Sequence, residues 1–384
     1  MRKKLFVIFL FILVIYNNIN VSYASVINKN YVDIQVPAAV VIDFDTGRVL
    51  YDKNGDEKRK MASLTKIMTS ILLVENCDME EQIEVPKKAA QIGGSTVGLK
   101  AGDIVTAKSL LYGMLLPSGN DCAYTVAIHL GGTIENFAKM MNDKAKVLGL
   151  TSTNFVNPHG LDNENHYTTA KEMAYLTRYA LKNPYIDEAV KTKSITINFG
   201  SFTKTLNNTN SLLRTYEKAD GVKTGFTNGA ERCLVSSATD NDRRYICVVL
   251  GATTTKIRFN TSKLLLEETF KKYKAMDISN YLKFYINVNV VKGKIPNYEE
   301  SINDNMSYPL TSEEYDSIYI KQDIVQSLEA PVAAGTKIGK VEVYLENEKL
   351  YEKEIFLKEN IYKKNIMDYI NEALSNMFKS VDII

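Results

Sequence analysis

The chain has 384 residues, with 47 Lys and Arg against 45 Asp and Glu for a net charge of +2. That balance excludes a nucleic-acid partner held by bulk charge, which needs clustered cations facing phosphates, and no basic stretch supplies them locally. Four cysteines are too few for a disulfide framework at this length, and the length suits two domains.

Residues 1–24 read as an export leader: Arg2-Lys3-Lys4, an apolar run from Leu5 through Tyr16, then Ser22-Tyr23-Ala24 as a small-x-small cleavage site before Ser25. The run is shorter than the ~20 residues that span a bilayer. The segment from Met61 to Val74 reads as a buried helix starting near Ser63. Ser63-Leu64-Thr65-Lys66 then puts a serine and a lysine on one helical face. They stand at the helix end whose amides favour developing negative charge. An isolated S-x-x-K is otherwise an N-cap serine with a solvated lysine. The second copy, Ser201 to Lys204, lies in the alternating, glycine-containing stretch Ile197–Thr203, where residues three apart fall on opposite faces of a strand.

Pro117 breaks the apolar run Leu110–Leu116, and Ser118-Gly119-Asn120 follows on a tight turn before a second apolar helix from about Asp121. Alone, that triplet is ordinary turn chemistry. Further on, Asp220-Gly221 reads as a turn feeding a strand that carries Lys223-Thr224-Gly225, with Gly225 open to close backbone approach. Cys233–Ala238 and Tyr245–Leu250 read as strands of a hairpin joined by Asp240–Arg243. There Cys233 and Cys247 come nearly opposite; burial as small apolar residues is the preferred reading over a cross-strand bond. From about Ile278 short alternating segments such as Tyr285–Val290 and Lys340–Leu345 predict a small β domain over 276–362. Ile366, Met367, Ile370, Leu374, Met377, Phe378 and Val381 recur at helical spacing, with Lys363 and Lys364 ahead of them. That predicts an amphipathic helix over 363–384, able to lie on a membrane or to dock on the β domain.

Taken in order, S-x-x-K, S-x-N and K-T-G are the signature of serine acyl-transfer sites activated by lysine. Only His129, His159 and His166 exist, and no motif places one as base. A free lysine titrates near ~10.4 and is the wrong protonation state for a base. Burial and a neighbouring cation such as Lys223 lower that value, so Lys66 is the expected acylation base for the Ser63 hydroxyl. His159, Asp162 and His166 are the residue types of a zinc site, but catalytic zinc takes three protein ligands and no such set is evident. Neither metal nor cofactor is expected. Cys122, close to the Ser118 turn, lacks the paired histidine of a thiol peptidase.

The chain resembles the low-molecular-weight penicillin-binding proteins, the serine D-alanyl-D-alanine carboxypeptidases (peptidase S11, penicillin-binding protein 5-like). Beyond the motifs, the resemblance is carried by Ala39–Asp43, Thr46–Tyr51, Gly98–Asp103, Leu115–Asp121, Asn157–Asp162 and Asp220–Gly225. It spans roughly residues 35 to 270, with weaker similarity through Ala330–Gly335. It implies an α/β catalytic domain over 25–275 of the β-lactamase/transpeptidase-like type. In that fold, antiparallel strands from both chain ends flank an inserted helical region, and a small all-β domain and the terminal helix follow. It further implies that Ser118 relays a proton and that Asn120 holds the substrate backbone or Lys66. Lys223 and Thr224 would meet a terminal carboxylate, with the amides of Ser63 and Phe226 around the oxyanion. Relatives that carry an arginine ahead of K-T-G depart from this chain, whose stretch Asn207–Leu213 has none; Arg214 is not assigned that role. The implied partners are peptidoglycan stem peptides, β-lactams and, through the terminal helix, a membrane surface. The implied location is the extracytoplasmic face of the membrane or the cell wall.

Overall fold

The computed structural model describes residues 31–379, so the expected leader lies outside the described residues. One compact unit is Asn28–Ala275 and a second begins at Met276. In the first, β1 (Ala38–Asp43) and β2 (Val49–Lys53) form a hairpin. The chain then enters a helical region: a 3-10 turn Ala62–Thr65 leads into α1 (Lys66–Asn76), and a small hairpin pairs β3 (Gln82–Glu84) with β4 (Ile104–Thr106). Next come α2 (Ala107–Leu115), α3 (Asn120–Gly131), α4 (Ile134–Val147), α5 (Ala170–Ala180) and α6 (Pro184–Lys191). A hairpin of β5 (Ser194–Asn198) and β6 (Thr203–Asn207) precedes the return to the sheet through β7 (Ala219–Thr227), β8 (Glu231–Asp240) and β9 (Arg243–Ala252). Helix α7 (Thr255–Lys272) closes the unit. Thr106, Thr133, Thr169 and Thr254 each accept a hydrogen bond from the third residue of the helix they cap.

The sheet order is β2-β1-β9-β8-β7, and its pairings are antiparallel. The first strand thus pairs with the last, and everything between about 54 and 218 is an insertion, as the fold class expected. Both faces of the sheet are covered, which explains why β1 and β9 are buried throughout, with unbroken apolar runs from Ala38 to Ile42 and from Tyr245 to Leu250 instead of alternation. Ala38, Val40 and Ile42 join the core beneath the helical region, while Ala39 and Val41 join Leu265 and Leu266 of α7 on the other face. Helix α1 is buried on every side from Lys66 through Leu73, the pattern of a central core helix.

Three local readings change. The serine turn is 3-10, and the α-helix proper starts at Lys66. Asp220 and Gly221 lie inside β7 at a bulge, because the Asp220 carboxylate accepts from Ser237, Thr239 and Arg244 and is held against the sheet. The β8–β9 register sets Cys247 opposite Ser236 while Cys233 faces Gly225 on β7, so the two cysteines are buried and free. That register follows from a two-residue turn, Asn241 and Asp242, both at positive φ.

In the second unit, Lys283–Val291 alternates strictly between exposed and buried, pairing with Asn297–Asn303 and Ser327–Glu329. A second sheet joins Ile318–Ile324, Lys337–Leu345 and Glu348–Phe356, and inward residues such as Ile286, Val288, Val341 and Val343 share one core. The terminal helix runs Ile366–Lys379 and exposes Ile366, Met367, Ile370 and Leu374. The Phe378 side chain and Val381 lie outside what the structure describes.

A buried ion pair joins two neighbouring strands that come first and last in the chain order of the sheet: Arg243 of β9 reaches the fully buried Asp43 of β1 at 2.8 Å. Removing one partner of such a pair leaves a buried charge poorly compensated. Asp43→Ala is therefore expected to cost about 3–5 kcal/mol, read as a lower denaturant midpoint with an unchanged slope in chemical unfolding.

Candidate active site

The 3-10 turn and α1 bring Ser63 and Lys66 together: Lys66 Nζ lies 2.9 Å from Ser63 Oγ. The same nitrogen donates to Asn120 Oδ1 at 2.7 Å and to the His159 carbonyl at 2.8 Å. Asn120 is fixed in turn, its Nδ2 donating to the Gly93 carbonyl. Lys66 is fully buried. Burial and then the charge on Lys223 hold its ammonium well below the usual lysine range, although Cys122 and Asp121 oppose the shift. Lys223, also buried, is pushed down to about 7 by burial and by the Arg258 guanidinium, and donates to the Thr224 carbonyl at 2.9 Å.

Ser118 is buried at the bend between α2 and α3 with φ +70, a left-handed conformation unusual for a non-glycine residue. Among the described residues its hydroxyl is not hydrogen-bonded to Ser63 or Lys66. The turn is held from below by Asp121, whose carboxylate accepts from the amides of Val97, Gly98, Leu99 and Cys122. Thr224 Oγ1 lies 2.6 Å from Thr209 Oγ1, and Thr209 donates to the Leu116 carbonyl, tying β7 to the same bend. Arg214 is occupied elsewhere, donating to the Asn208 carbonyl.

Gly225 brings β7 against the nucleophile: a Cβ there would stand 3.1 Å from Ser63 N, Met61 O and Ala62 Cβ. Ala62 itself sits at φ +48. Phe226 follows on the strand, half exposed, with the Arg232 guanidinium 4.8 Å from its ring. Ser63, Lys66 and Asn120 are thus joined by hydrogen bonds, while Gly225 and Lys223 reach them through close approach and charge.

Four further contributors escaped the sequence reading. The His159 carbonyl is an acceptor for Lys66, and a backbone role leaves no mark on residue type. Gly160, at φ +91, would place a Cβ 1.9 Å from the Ala62 carbonyl. Its only sequence signal was the His-Gly pair within Asn157–Asp162. His166 Nδ1 accepts from Val156 N, and its Nε2 donates to Thr65 Oγ1, which donates to the Ala62 carbonyl. Burial holds His166 down to about 4 and His159 to about 3, so both rings are neutral props. Arg258 of α7 donates to the Gly225 carbonyl at 3.3 Å; its buried Nε has no partner among the described residues.

The sequence and the fold match known proteins. The family model "D-alanyl-D-alanine carboxypeptidase" fits residues 24–254, and "Penicillin-binding protein 5, C-terminal domain" fits 283–363. The chain is 34% identical over 353 residues to D-alanyl-D-alanine carboxypeptidase DacF of Bacillus subtilis, covering 90% of each. It is 32% identical to D-alanyl-D-alanine carboxypeptidase DacC of Escherichia coli, over 84% of each. Penicillin binding protein 5 from Haemophilus influenzae superposes with a TM-score of 0.74 at 27% identity, over 86% of this chain and 99% of that one.

The packing of Gly160 gives a direct test. Gly160→Ala is expected to lower the melting temperature and cut acylation of Ser63 by a serine-directed probe more than tenfold, because the Ala62 carbonyl must move. Gly149→Ala, also at positive φ (+74) but with no atom within 4 Å, should cost only the backbone term of about 1 kcal/mol and leave acylation intact.

Proposed function

This chain belongs to the D-alanyl-D-alanine carboxypeptidase family of serine peptidases (S11), and on that premise we propose that it trims the terminal D-alanine from peptidoglycan pentapeptide stems through an acyl-Ser63 intermediate. The observation that carries this reading is the desolvated Lys66 amine, 2.9 Å from Ser63 Oγ. With its two N–H groups on Asn120 and the His159 carbonyl, a neutral amine turns its lone pair to the serine hydroxyl. Ser63 Oγ bonds to the carbonyl carbon of the penultimate D-alanine as its proton passes to Lys66. The amides of Ser63 and Phe226 receive the oxyanion. The C–N bond then breaks, the departing amine takes up a proton with Ser118 as relay, and free D-alanine leaves. Water attacks the ester, its proton returns through Lys66, and Ser63 is restored.

Strand β7 ends the sheet order, so its outer row of backbone groups suits an extended peptide laid alongside it. The terminal carboxylate of that peptide would meet Lys223 and Thr224, with Arg258 adding positive charge behind Gly225. A β-lactam presents the same carboxylate and a strained amide, and would acylate Ser63 covalently.

The terminal helix extends the proposal to location. No helix among the described residues is long and apolar enough to cross a membrane. Ile366, Met367, Ile370 and Leu374 lie exposed near one side of a helix that Lys363 and Lys364 precede, a composition suited to the bilayer interface. These features, with the leader expected from the sequence, support an exported enzyme at the extracytoplasmic face of the membrane or in the cell wall.

Purified enzyme should release D-alanine from a peptide ending in D-Ala-D-Ala and form a long-lived penicillin adduct by mass spectrometry; Ser63→Ala should do neither. Product-free incubation of the wild type would overturn the activity. The free-enzyme profile of kcat/KM should rise as Lys66 loses its proton and fall above about 7 as Lys223 loses its charge. Lys223→Arg, which stays charged, should move the falling limb to higher pH.

Ending the chain after Asn365 should abolish co-sedimentation with anionic vesicles and leave soluble turnover unchanged. Equal sedimentation of both forms would remove the membrane role.

A further inference from the structure

At the opposite end of the nucleophile helix stands a cluster of different chemistry. Cys77 is the C-cap of α1, its amide bonded to the Leu73 carbonyl. Glu81 sits on the following turn, its amide donating to Asp78 O and its carbonyl accepting from Ala107 N. His129 is in the last turn of α3. One ligand atom from each lies within 4.8 Å of the others, and His129 Nε2 is 2.9 Å from Glu81 Oε1.

We propose that Cys77, Glu81 and His129 form a Zn²⁺ site, with water as the fourth ligand. The donor set is one sulfur, one imidazole nitrogen and one carboxylate oxygen, which suits a borderline-soft divalent ion and disfavours Ca²⁺ or Mg²⁺. Tetrahedral zinc with Zn–S near 2.3 Å and Zn–N near 2.0 Å sets ligand atoms about 3.3–3.6 Å apart. Reaching that from the present spacing takes side-chain rotations of about 1 Å, on three backbones already held by hydrogen bonds. A second observation favours a cation here. Two helix C-termini, those of α1 and α3, converge on the cluster and bring the negative ends of their dipoles with them. On binding, the thiol S–H is exchanged for an S–Zn bond and the proton leaves to solvent.

The 11 residues of α1 put this cluster about 15 Å from Lys66, so the metal touches no reacting atom. It would instead clamp the far ends of the two helices whose near ends carry Lys66 and Asn120. The role is positional. It stands independently of the carboxypeptidase reading.

Chelator-treated full-length protein, titrated with Zn²⁺ in a calorimeter, should bind one equivalent and melt at higher temperature. Co²⁺ in its place should give a thiolate-to-metal charge-transfer band in the near ultraviolet. Background is low, because Cys122, Cys233 and Cys247 are buried and both ring nitrogens of His166 are engaged. Cys77→Ser should lose the band and weaken Zn²⁺ binding more than tenfold. His129→Gln should weaken binding similarly but keep the band. Should Cys77→Ser fail to fold, His129→Gln decides alone, since that side chain lies on an accessible helix surface. No zinc binding, leaving a plain Glu81–His129 ion pair, overturns the site. So does affinity that is equal in wild type and His129→Gln.

Discussion

Everything in the catalytic unit turns on keeping one amine dry. Among the described residues Lys66 has no carboxylate as a hydrogen-bond partner; it has an amide oxygen, a peptide carbonyl and a hydroxyl. Neutral dipoles do not repay the desolvation of a buried ammonium, and Lys223 adds repulsion. The same three partners nonetheless serve both protonation states. As an ammonium the group donates to all three; as an amine it donates to two and accepts from Ser63. In the proposed mechanism, proton transfer would therefore reverse one hydrogen bond and reorganise nothing else, which is the property an electrostatically prepared site requires.

Such a group must be enclosed, and the enclosure stores strain. Ala62, next to Ser63, and Ser118, two residues before Asn120, both occupy the left-handed region. Each is held from outside: Ala62 by the Thr65–His166 relay on its carbonyl, Ser118 by the Asp121 carboxylate anchoring the residues around it. Gly160 and Gly225 supply the room, since both meet the Ala62 turn where a methyl group would collide. The neutral histidines belong to this scaffold and not to the chemistry. Burial keeps both rings neutral, and the amides of Leu161 and Val156, which donate to the Nδ1 atoms of His159 and His166, fix the tautomers.

Motif order made Ser63, Lys66 and Asn120 legible, because helical spacing and turn chemistry convert directly into direction. Sheet membership was equally legible, since unbroken apolar runs such as Val40–Ile42 and Ile246–Leu250 announce burial on both faces. Register was not. A hairpin can be read from composition, but Cys247 faces Ser236 because a two-residue turn closes at Asn241 and Asp242, and nothing in the strand residues demands that turn. Asp220-Gly221 misled for a related reason: Asp before Gly favours a turn locally, whereas Arg244 and two hydroxyls hold the carboxylate within the strand. The His159 carbonyl was invisible because backbone acceptors are common to all residues. The Cys77–Glu81–His129 cluster was invisible too, since its members come together only when α1 and α3 pack.

The position of the site follows from the sheet. An edge strand exposes unpaired backbone groups and invites pairing with any extended chain. β7 is such an edge, yet its side chains from Gly221 through Gly225 are buried and the Ser63 turn lies against Gly225. The edge is thus blocked at one point by the nucleophile itself. A long strand cannot run past that point without displacing the turn. On the proposed reading, a peptide that ends there would pair with the open stretch and present its last peptide bond to Ser63, and its terminal carboxylate would fall where Lys223 and Arg258 concentrate positive charge. Preference for a chain terminus over an internal bond would then have two sources: the edge closed at Ser63, and the positive charge of Lys223 and Arg258 beside that closed end.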